Sequence, residues 1–535
     1  MRSKPTLGFV VLLALMNVPA MAQRGRNRSG ERPQEQAPTT QESGFKQGEP
    51  QKDVADKLST TDGQVTIQGQ ALKYTATAGR LVLRDDSGKA RAEMFFVAYQ
   101  KEPASEDLSR RPITFLFNGG PGSSSVWLHM GAAGPKRVAL DDNGSAPQPP
   151  YHLVDNEQTW LPYTDLVFID PVGTGYSRAA PGVNPQEFFG VENDLRSVAQ
   201  FIRLYTTRYN RWLSPKFVGG ESYGTTRASA LSNVLLEEGI SLNGVILISC
   251  VLNFQTLSFA KGNDISYVLY LPTYTAVAWY HKKLAGDLQS NLQKAIEESE
   301  QFALHDYMTD LAAGVQIDPK EREKAVKELA RLTALPEKLI DRANLRVDPS
   351  EFRKELLADD RKVLGRYDAR ITGYDQDPTA TRPEYDPSYE PYLGAYSAVF
   401  NDYVRRVLKF ESDLPYEVLS SNVRPWNMGP AGSGYLNVAE RLNTSLIESP
   451  NLRVLFNSGY FDLATPFLAT KYTVSHLDVN PAERRDITQA FYDSGHMIYH
   501  HRPDREKLVA NVAAFIKAAI PNQQEQVPGV AQAEK

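Results

Sequence analysis

The chain has 535 residues, of which 41% are hydrophobic and 23% charged, with a formal net charge of −5 at pH 7. A length well beyond one ordinary domain points to a core domain that carries a large insertion. The charge balance leaves no basic footprint for nucleic acid and no acidic run long enough to form a charged tail.

In chain order, Arg2 and Lys4 precede the apolar run LGFVVLLALM (7–16), and PAMA follows, ending at Ala22. A charged start, a short apolar middle and an Ala-Met-Ala site form the pattern of a cleaved secretory signal over 1–22, so the mature protein is expected to be exported. The run is too short to span a bilayer comfortably, and no later segment approaches the necessary length. No cysteine follows the cleavage site, which leaves a lipid anchor without support. Cys250 is the only cysteine, so an intrachain disulfide is impossible, which suits a bacterial periplasmic protein better than a eukaryotic secreted one.

Residues 23–60 are rich in Gln, Arg, Glu, Gly and Pro without apolar periodicity, and read as a disordered leader. From Gln64 to Tyr99 the pattern alternates, with Asp-Asp-Ser-Gly as a turn, which predicts antiparallel hairpin strands. Apolar bursts then alternate with amphipathic stretches: ITFLFN (113–118), DLVFID (165–170), KFVGG (216–220), GVILISC (244–250), LRVLFNSG (452–459) and ITQAFYDSG (487–495). Strands apolar on both faces, separated by helices, predict a mostly parallel sheet with helical covers. The core is therefore expected over 61–250 and 431–520. Between them, 251–430 is charged and helix-rich, then Tyr/Pro/Asp-rich, and reads as an inserted cap. A polar tail, 521–535, is expected to be disordered.

The chemistry starts at KFVGGESYGTTRAS (216–229), where Gly220, Glu221, Ser222, Tyr223 and Gly224 form a Gly-x-Ser-x-Gly sequence. A serine on a sharp strand-to-helix turn presents its hydroxyl outward, and small neighbours let the backbone bend that far. The hydroxyl is a poor nucleophile until a base removes its proton and a third group orients the base. Two later strand ends offer those groups: YFDLATP offers Asp462, and SGHMIYHH offers His496. Each alone reads as an ordinary loop residue, but three strand ends yield Ser, Asp and His in the order that open parallel-sheet hydrolases use. A second glycine-rich loop, FNGGPGSSS (117–125), follows a predicted strand. Its backbone N–H groups suit an oxyanion, with Gly120 and the residue after the nucleophile, Tyr223, as the candidate donors. The loop lacks the Gly-Lys-Ser/Thr ending of a nucleotide-binding loop. His496, His500 and His501 raise the question of a metal, but no second cluster has ligand spacing and paired surface histidines account for the last two, so neither metal nor cofactor is expected.

Together, NGGPGSSS (118–125), DPVGTGYS (170–177), GESYG (220–224) and SGHM (494–497) resemble the serine carboxypeptidase family of α/β-hydrolases, over roughly 75–250 and 450–518. The resemblance implies a triad of Ser222, Asp462 and His496, with Gly120 and Tyr223 as the oxyanion hole. It further implies recognition of the free C-terminal carboxylate of a peptide by Asn118, Gly119 and Glu221. A carboxylate facing a carboxylate repels it, so Glu221 must be protonated and donate a hydrogen bond, which favours peptide hydrolysis at acidic pH. Three positions depart from the family pattern. Ala132 stands where a second Glu commonly pairs with the first, Leu116 replaces a Trp, and Ser123 replaces a Cys. Losing the second Glu weakens the carboxylate network and leaves the nucleophilic machinery untouched. The leading expectation is an exported serine carboxypeptidase, periplasmic or secreted, acting on peptides with a free C-terminus. A serine esterase or acyltransferase of the same fold is the first alternative, and a catalytically silent binding protein the second. No sequence signal indicates an oligomeric state.

Overall fold

A computed structural model describes residues 54–105, 107–429, 434–480 and 486–520. The expected signal segment, nearly all of the leader and the expected tail lie outside the described residues. The main strands are β1 (Lys57–Ile67), β2 (Gln70–Arg84), β3 (Ala90–Lys101), β4 (Ile113–Phe117), β5 (Asp165–Ile169), β6 (Lys216–Glu221), β7 (Gly244–Ile248), β8 (Arg453–Gly459) and β9 (Ile487–Tyr492). They join one sheet in the order β1-β2-β3-β5-β4-β6-β7-β8-β9, and a two-residue strand, Arg178–Ala179, pairs beside β3. The pairings from β1 to β5 are antiparallel, and every pairing from β5 to β9 is parallel.

Every residue of β4, β5, β6 and β7 is buried, as the apolar bursts predict for strands covered on both faces. Alternate side chains divide between two clusters, Leu116, Phe168, Phe217 and Ile246 on one face, and Phe115, Val167, Val218 and Leu247 on the other. Four helices matter most: α1 (Val191–Arg208), α2 (Tyr223–Glu237), α3 (Glu390–Asp402) and α4 (Arg502–Ala518). Leu195 and Val198 of α1 and Leu231 and Leu235 of α2 cover the second face, while Tyr396 and Phe400 of α3 and Leu508 and Val512 of α4 cover the first. A mostly parallel sheet between helices, with an antiparallel edge, is the α/β-hydrolase architecture.

Two boundaries differ from the sequence reading. The leader was expected to run to residue 60, but β1 starts at Lys57, where Lys57 to Thr60 pair with Arg80 to Thr77 of β2. An edge strand paired on one side and mostly exposed has no need of apolar alternation, so KLST (57–60) reads as leader. The stretch 251–430 was expected to be one cap, and the structure divides it. Its earlier helices close around Leu269, Val277, Leu329, Ile340 and Phe352, a cluster that also takes Phe461, Leu463 and Phe467 from beyond β8. By contrast, α3 is built into the core against the sheet. No helix among the described residues is long and apolar enough to cross a membrane.

Beneath the sheet's carboxyl ends lies one buried ion pair. Arg227 of α2 donates from Nε to Asp194 Oδ2 of α1 at 2.7 Å and from Nη1 to the Asn118 carbonyl at 2.8 Å. Both side chains are almost wholly buried, and the guanidinium lies over the rings of Phe117 and Tyr223. Removing one partner strands a charge in a low-dielectric interior, which costs about 3–5 kcal/mol. Asp194→Ala is therefore expected to lower unfolding free energy by about that amount in a denaturant titration. A loss under ~1 kcal/mol would show that Arg227 finds compensation elsewhere.

Candidate active site

The turn from β6 into α2 puts Ser222 at φ 60° and ψ −130°. A left-handed conformation in a residue with a side chain costs on the order of 1–3 kcal/mol and persists only where the surroundings enforce it. Backbone packing enforces it here. A Cβ at Gly220 would overlap the Gly224 carbonyl, and one at Gly224 would lie 2.8 Å from the Phe117 oxygen. A Cβ at Gly119 would collide with the Tyr223 nitrogen, so the loop after β4 lies directly on the start of α2. The Ser222 N–H donates to the Ile248 carbonyl at 3.0 Å, which ties the turn to β7.

Behind Ser222, His496 Nδ1 and Asp462 Oδ2 are 2.7 Å apart, both side chains fully buried. The Asp462 carboxyl also accepts from the Ala464 N–H at 2.7 Å, the Thr465 N–H at 3.0 Å and the Thr465 hydroxyl at 2.6 Å. These donors hold it in one orientation. The His496 backbone is fixed by its N–H to the Tyr367 carbonyl and by its carbonyl to the Ser249 hydroxyl. Burial disfavours the imidazolium, but the Asp462 carboxylate outweighs burial, and His496 is held above the ordinary histidine range. With Nδ1 engaged by Asp462, Nε2 is the nitrogen left for a reacting group.

On the other side of the turn, Glu221 is buried and accepts a hydrogen bond from the Tyr499 hydroxyl at Oε2, 2.6 Å away. Burial raises the Glu221 carboxyl to about 7, against the opposing pull of His496 and the Tyr499 hydrogen bond. Asn118 Oδ1 accepts from the Leu128 N–H at 3.0 Å, and its Nδ2 faces Glu221 and Tyr499 without forming a hydrogen bond of ordinary geometry.

The loop carrying Asn118, Gly119 and Gly120 is anchored at its far end. The Ser125 N–H and hydroxyl both donate to Asp170 Oδ1, at 2.8 and 2.7 Å, so the first residue of DPVGTGYS serves as a brace. The Ser124 N–H donates to the Val418 carbonyl at 3.0 Å and the Ser420 N–H to the Gly122 carbonyl at 2.8 Å. Ser123, at the family's Cys position, is buried there and pairs with Leu419 in an isolated bridge.

Asn118, Gly119, Gly120, Glu221, Ser222, Tyr223 and His496 all line one cavity of ≈ 140 Å³, with Asp462 behind His496. The structure thus brings the eight residues of the expected triad, oxyanion hole and carboxylate site to one place. It adds several that the sequence reading missed. Thr465, three residues past Asp462, has a spacing at which a hydroxyl and an aspartate commonly meet, and that signal was available. Tyr499 follows His496 by three residues through a short helical turn, Ile498–His500, but attention there fell on the histidines. Trp127, Phe254, Arg366, Tyr367, Tyr389 and Leu419 also line the cavity, and nothing local to their sequence marks them. One reading is corrected. His500 is no surface histidine but is buried, 2.9 Å from the Tyr396 hydroxyl, and burial lowers it to about 3. Only His501 is partly exposed, 2.9 Å from Asp504.

A serine at a strained elbow and a His–Asp pair in one cavity, on a mostly parallel sheet, place the molecule among the α/β-hydrolases. The sequence profile of the serine carboxypeptidases matches residues 70–508, and the chain belongs to that family. Among its relatives, serine carboxypeptidase-like 34 of Arabidopsis thaliana is 26% identical over 212 residues, 38% of this chain and 39% of the relative. Pheromone-processing carboxypeptidase KEX1 of Phytophthora infestans is 29% identical over 168 residues, 30% of this chain and 23% of the relative. The chain thus spans well under half the length of these relatives.

The site's geometry generates a direct test. A fluorophosphonate probe is expected to label Ser222 in the folded protein, identified by mass spectrometry of the modified peptide. Labelling should be lost in Ser222→Ala and, if His496 takes the Ser222 proton, slowed at least ~100-fold in His496→Ala. Labelling elsewhere, or rates indifferent to His496, would mean the serine is not activated.

Proposed function

We propose that the protein is an exported serine carboxypeptidase that releases the C-terminal residue of peptides through an acyl-enzyme on Ser222. The observation that carries this reading is the pairing, beside the strained serine, of a buried carboxyl raised to about 7 with an Asn118 Nδ2 that lacks a well-formed partner. Such a pair has little use in a general esterase. It suits a ligand that ends in a carboxylate, to which protonated Glu221, Asn118 Nδ2 and the Gly119 N–H each offer a donor.

In this mechanism the Ser222 hydroxyl passes its proton to His496 Nε2 as its oxygen attacks the last peptide carbonyl. The backbone N–H groups of Gly120 and Tyr223 receive the oxyanion, Tyr223 with help from the positive end of α2. As the C–N bond breaks, His496 returns the proton to the departing amine. Water then repeats the sequence, His496 taking its proton, and the acid product leaves with Ser222 restored. Asp462 keeps the imidazole in the tautomer that leaves Nε2 free. Export rests on the signal-like segment at 1–22 and directs the enzyme to the periplasm or the medium. The alternative, a serine esterase or acyltransferase, is favoured by one observation, Ala132 in place of a second carboxyl.

The signs of the two titrations set the pH profile. His496 must be neutral to accept a proton, so its raised pKa produces a loss of rate on the acid side. Glu221 must be protonated to receive a carboxylate, so activity on free acids should fall as pH rises through about 7. An N-blocked dipeptide is expected to be cleaved as the free acid far faster than as the C-terminal amide. The alkaline fall should be absent for a simple ester, and Ser222→Ala should lower every rate by at least ~10⁴-fold. Equal cleavage of acid and amide across pH 5 to 9 would overturn the carboxypeptidase reading in favour of the esterase.

A further inference from the structure

Glu221 lies deep against several elements, and its partners are not those of a paired-carboxyl site. Tyr499 donates to Glu221 Oε2 at 2.6 Å from the short turn after His496. Its ring packs against Gly131, where a Cβ would come within 2.5 Å of Tyr499 Cε2 and within 2.6 Å of the Tyr396 hydroxyl. Gly131 adjoins Ala132, the position that carries no second carboxyl. The Tyr499 carbonyl accepts from Arg505 Nη1 of α4 at 2.8 Å, which fixes the backbone that presents the phenol. The other groups facing Glu221 are His496 and Asp462 from the two later loops, Asn118 from the loop after β4, Tyr367 from the insertion and Tyr396 from α3. Tyr396 is itself hydrogen-bonded to His500.

We propose that Tyr499 is the positioning residue for carboxylate recognition, its hydroxyl taking over the place of the missing second carboxyl by holding Glu221 Oε2. This rests on the carboxypeptidase reading above and deepens it. A fixed donor at Oε2 leaves the Glu221 proton on Oε1, from which it is donated to the substrate's terminal carboxylate. Two carboxyls in contact share protons and titrate as a coupled pair. A phenol does not join that titration, because burial, and after it the charge of Glu221, keep Tyr499 protonated well above the ordinary phenol range. Recognition is therefore governed by one proton, on Glu221. The site thus loses free-acid substrates on the alkaline side in a single step.

The test compares kcat and KM for an N-blocked dipeptide as free acid, amide and methyl ester, over roughly pH 5 to 9, in the unmodified enzyme and in Tyr499→Phe. In the unmodified enzyme, the ratio of acid to ester efficiency should fall on the alkaline side with the slope of one proton. In Tyr499→Phe, KM for the free acid should rise roughly five- to tenfold, more than kcat changes and more than the ester is affected. The alkaline fall should also move up by roughly half to one pH unit, because the hydrogen bond that favoured the carboxylate is gone. A fall that stays in place, or acid and ester losses that match, would assign Tyr499 a packing role only and overturn the proposal. Should the variant fail to fold, the slope in the unmodified enzyme still decides, since a two-proton fall means a second coupled carboxyl. Absence of any acid-over-amide preference at every pH overturns the carboxypeptidase reading and this inference with it. A clear preference with an unmoved fall overturns the role of Tyr499 alone.

Discussion

The constraint on which the site depends is a contact between backbones. Where β6 meets α2, the Gly220 Cα faces the Gly224 carbonyl, and Gly119 of the neighbouring loop lies on the Tyr223 nitrogen. No side chain fits at Gly119, Gly220 or Gly224, so the turn and a loop about a hundred residues before it close to van der Waals distance. Their approach forces Ser222 into the left-handed region and brings the Asn118–Gly120 loop beside it. The strain at one residue is thus upheld by packing around it rather than by any contact of its own.

Charge is managed around that contact by burial and pairing. Below it, Arg227 links α1, α2 and the Asn118 carbonyl, so the loop that lines the cavity is held from beneath by a buried ion pair. Above it, two carboxyls close to the same serine differ in character because their surroundings differ. Asp462 accepts from three donors of the 464–465 turn and faces an imidazole. Glu221 is buried against a phenol, with its carboxyl raised to about 7. The two neighbouring acids thus stand in opposed environments, one ringed by donors and the other buried against a phenol.

The insertion supplies cavity walls and loop anchors, while Ser222, Asp462 and His496 come from the core. Val418 and Ser420 hold the glycine-rich loop through backbone hydrogen bonds, and the Tyr367 carbonyl holds the His496 backbone. Arg366, Tyr367, Tyr389 and Leu419 wall a cavity whose chemical floor comes from the core. Because α3 packs into the sheet-face cluster, this wall is continuous with the core and not a detached lid.

The sequence by itself determined the order of apolar bursts, and with it the parallel sheet, because strands covered on both faces must be apolar at every position. It also determined which residues cluster at the strand ends, since Gly-x-Ser-x-Gly, the Asp462 loop and the His496 loop each follow a burst directly. Only the tertiary structure decided what surrounds them. Tyr499 meets Glu221 across 278 residues, and Arg366 reaches the cavity from an insertion whose local pattern shows only helix and loop. The first part of edge strand β1, too polar to read as a strand, exists because β2 pairs with it. Such contacts are set by packing between distant elements, and local composition carries no record of them.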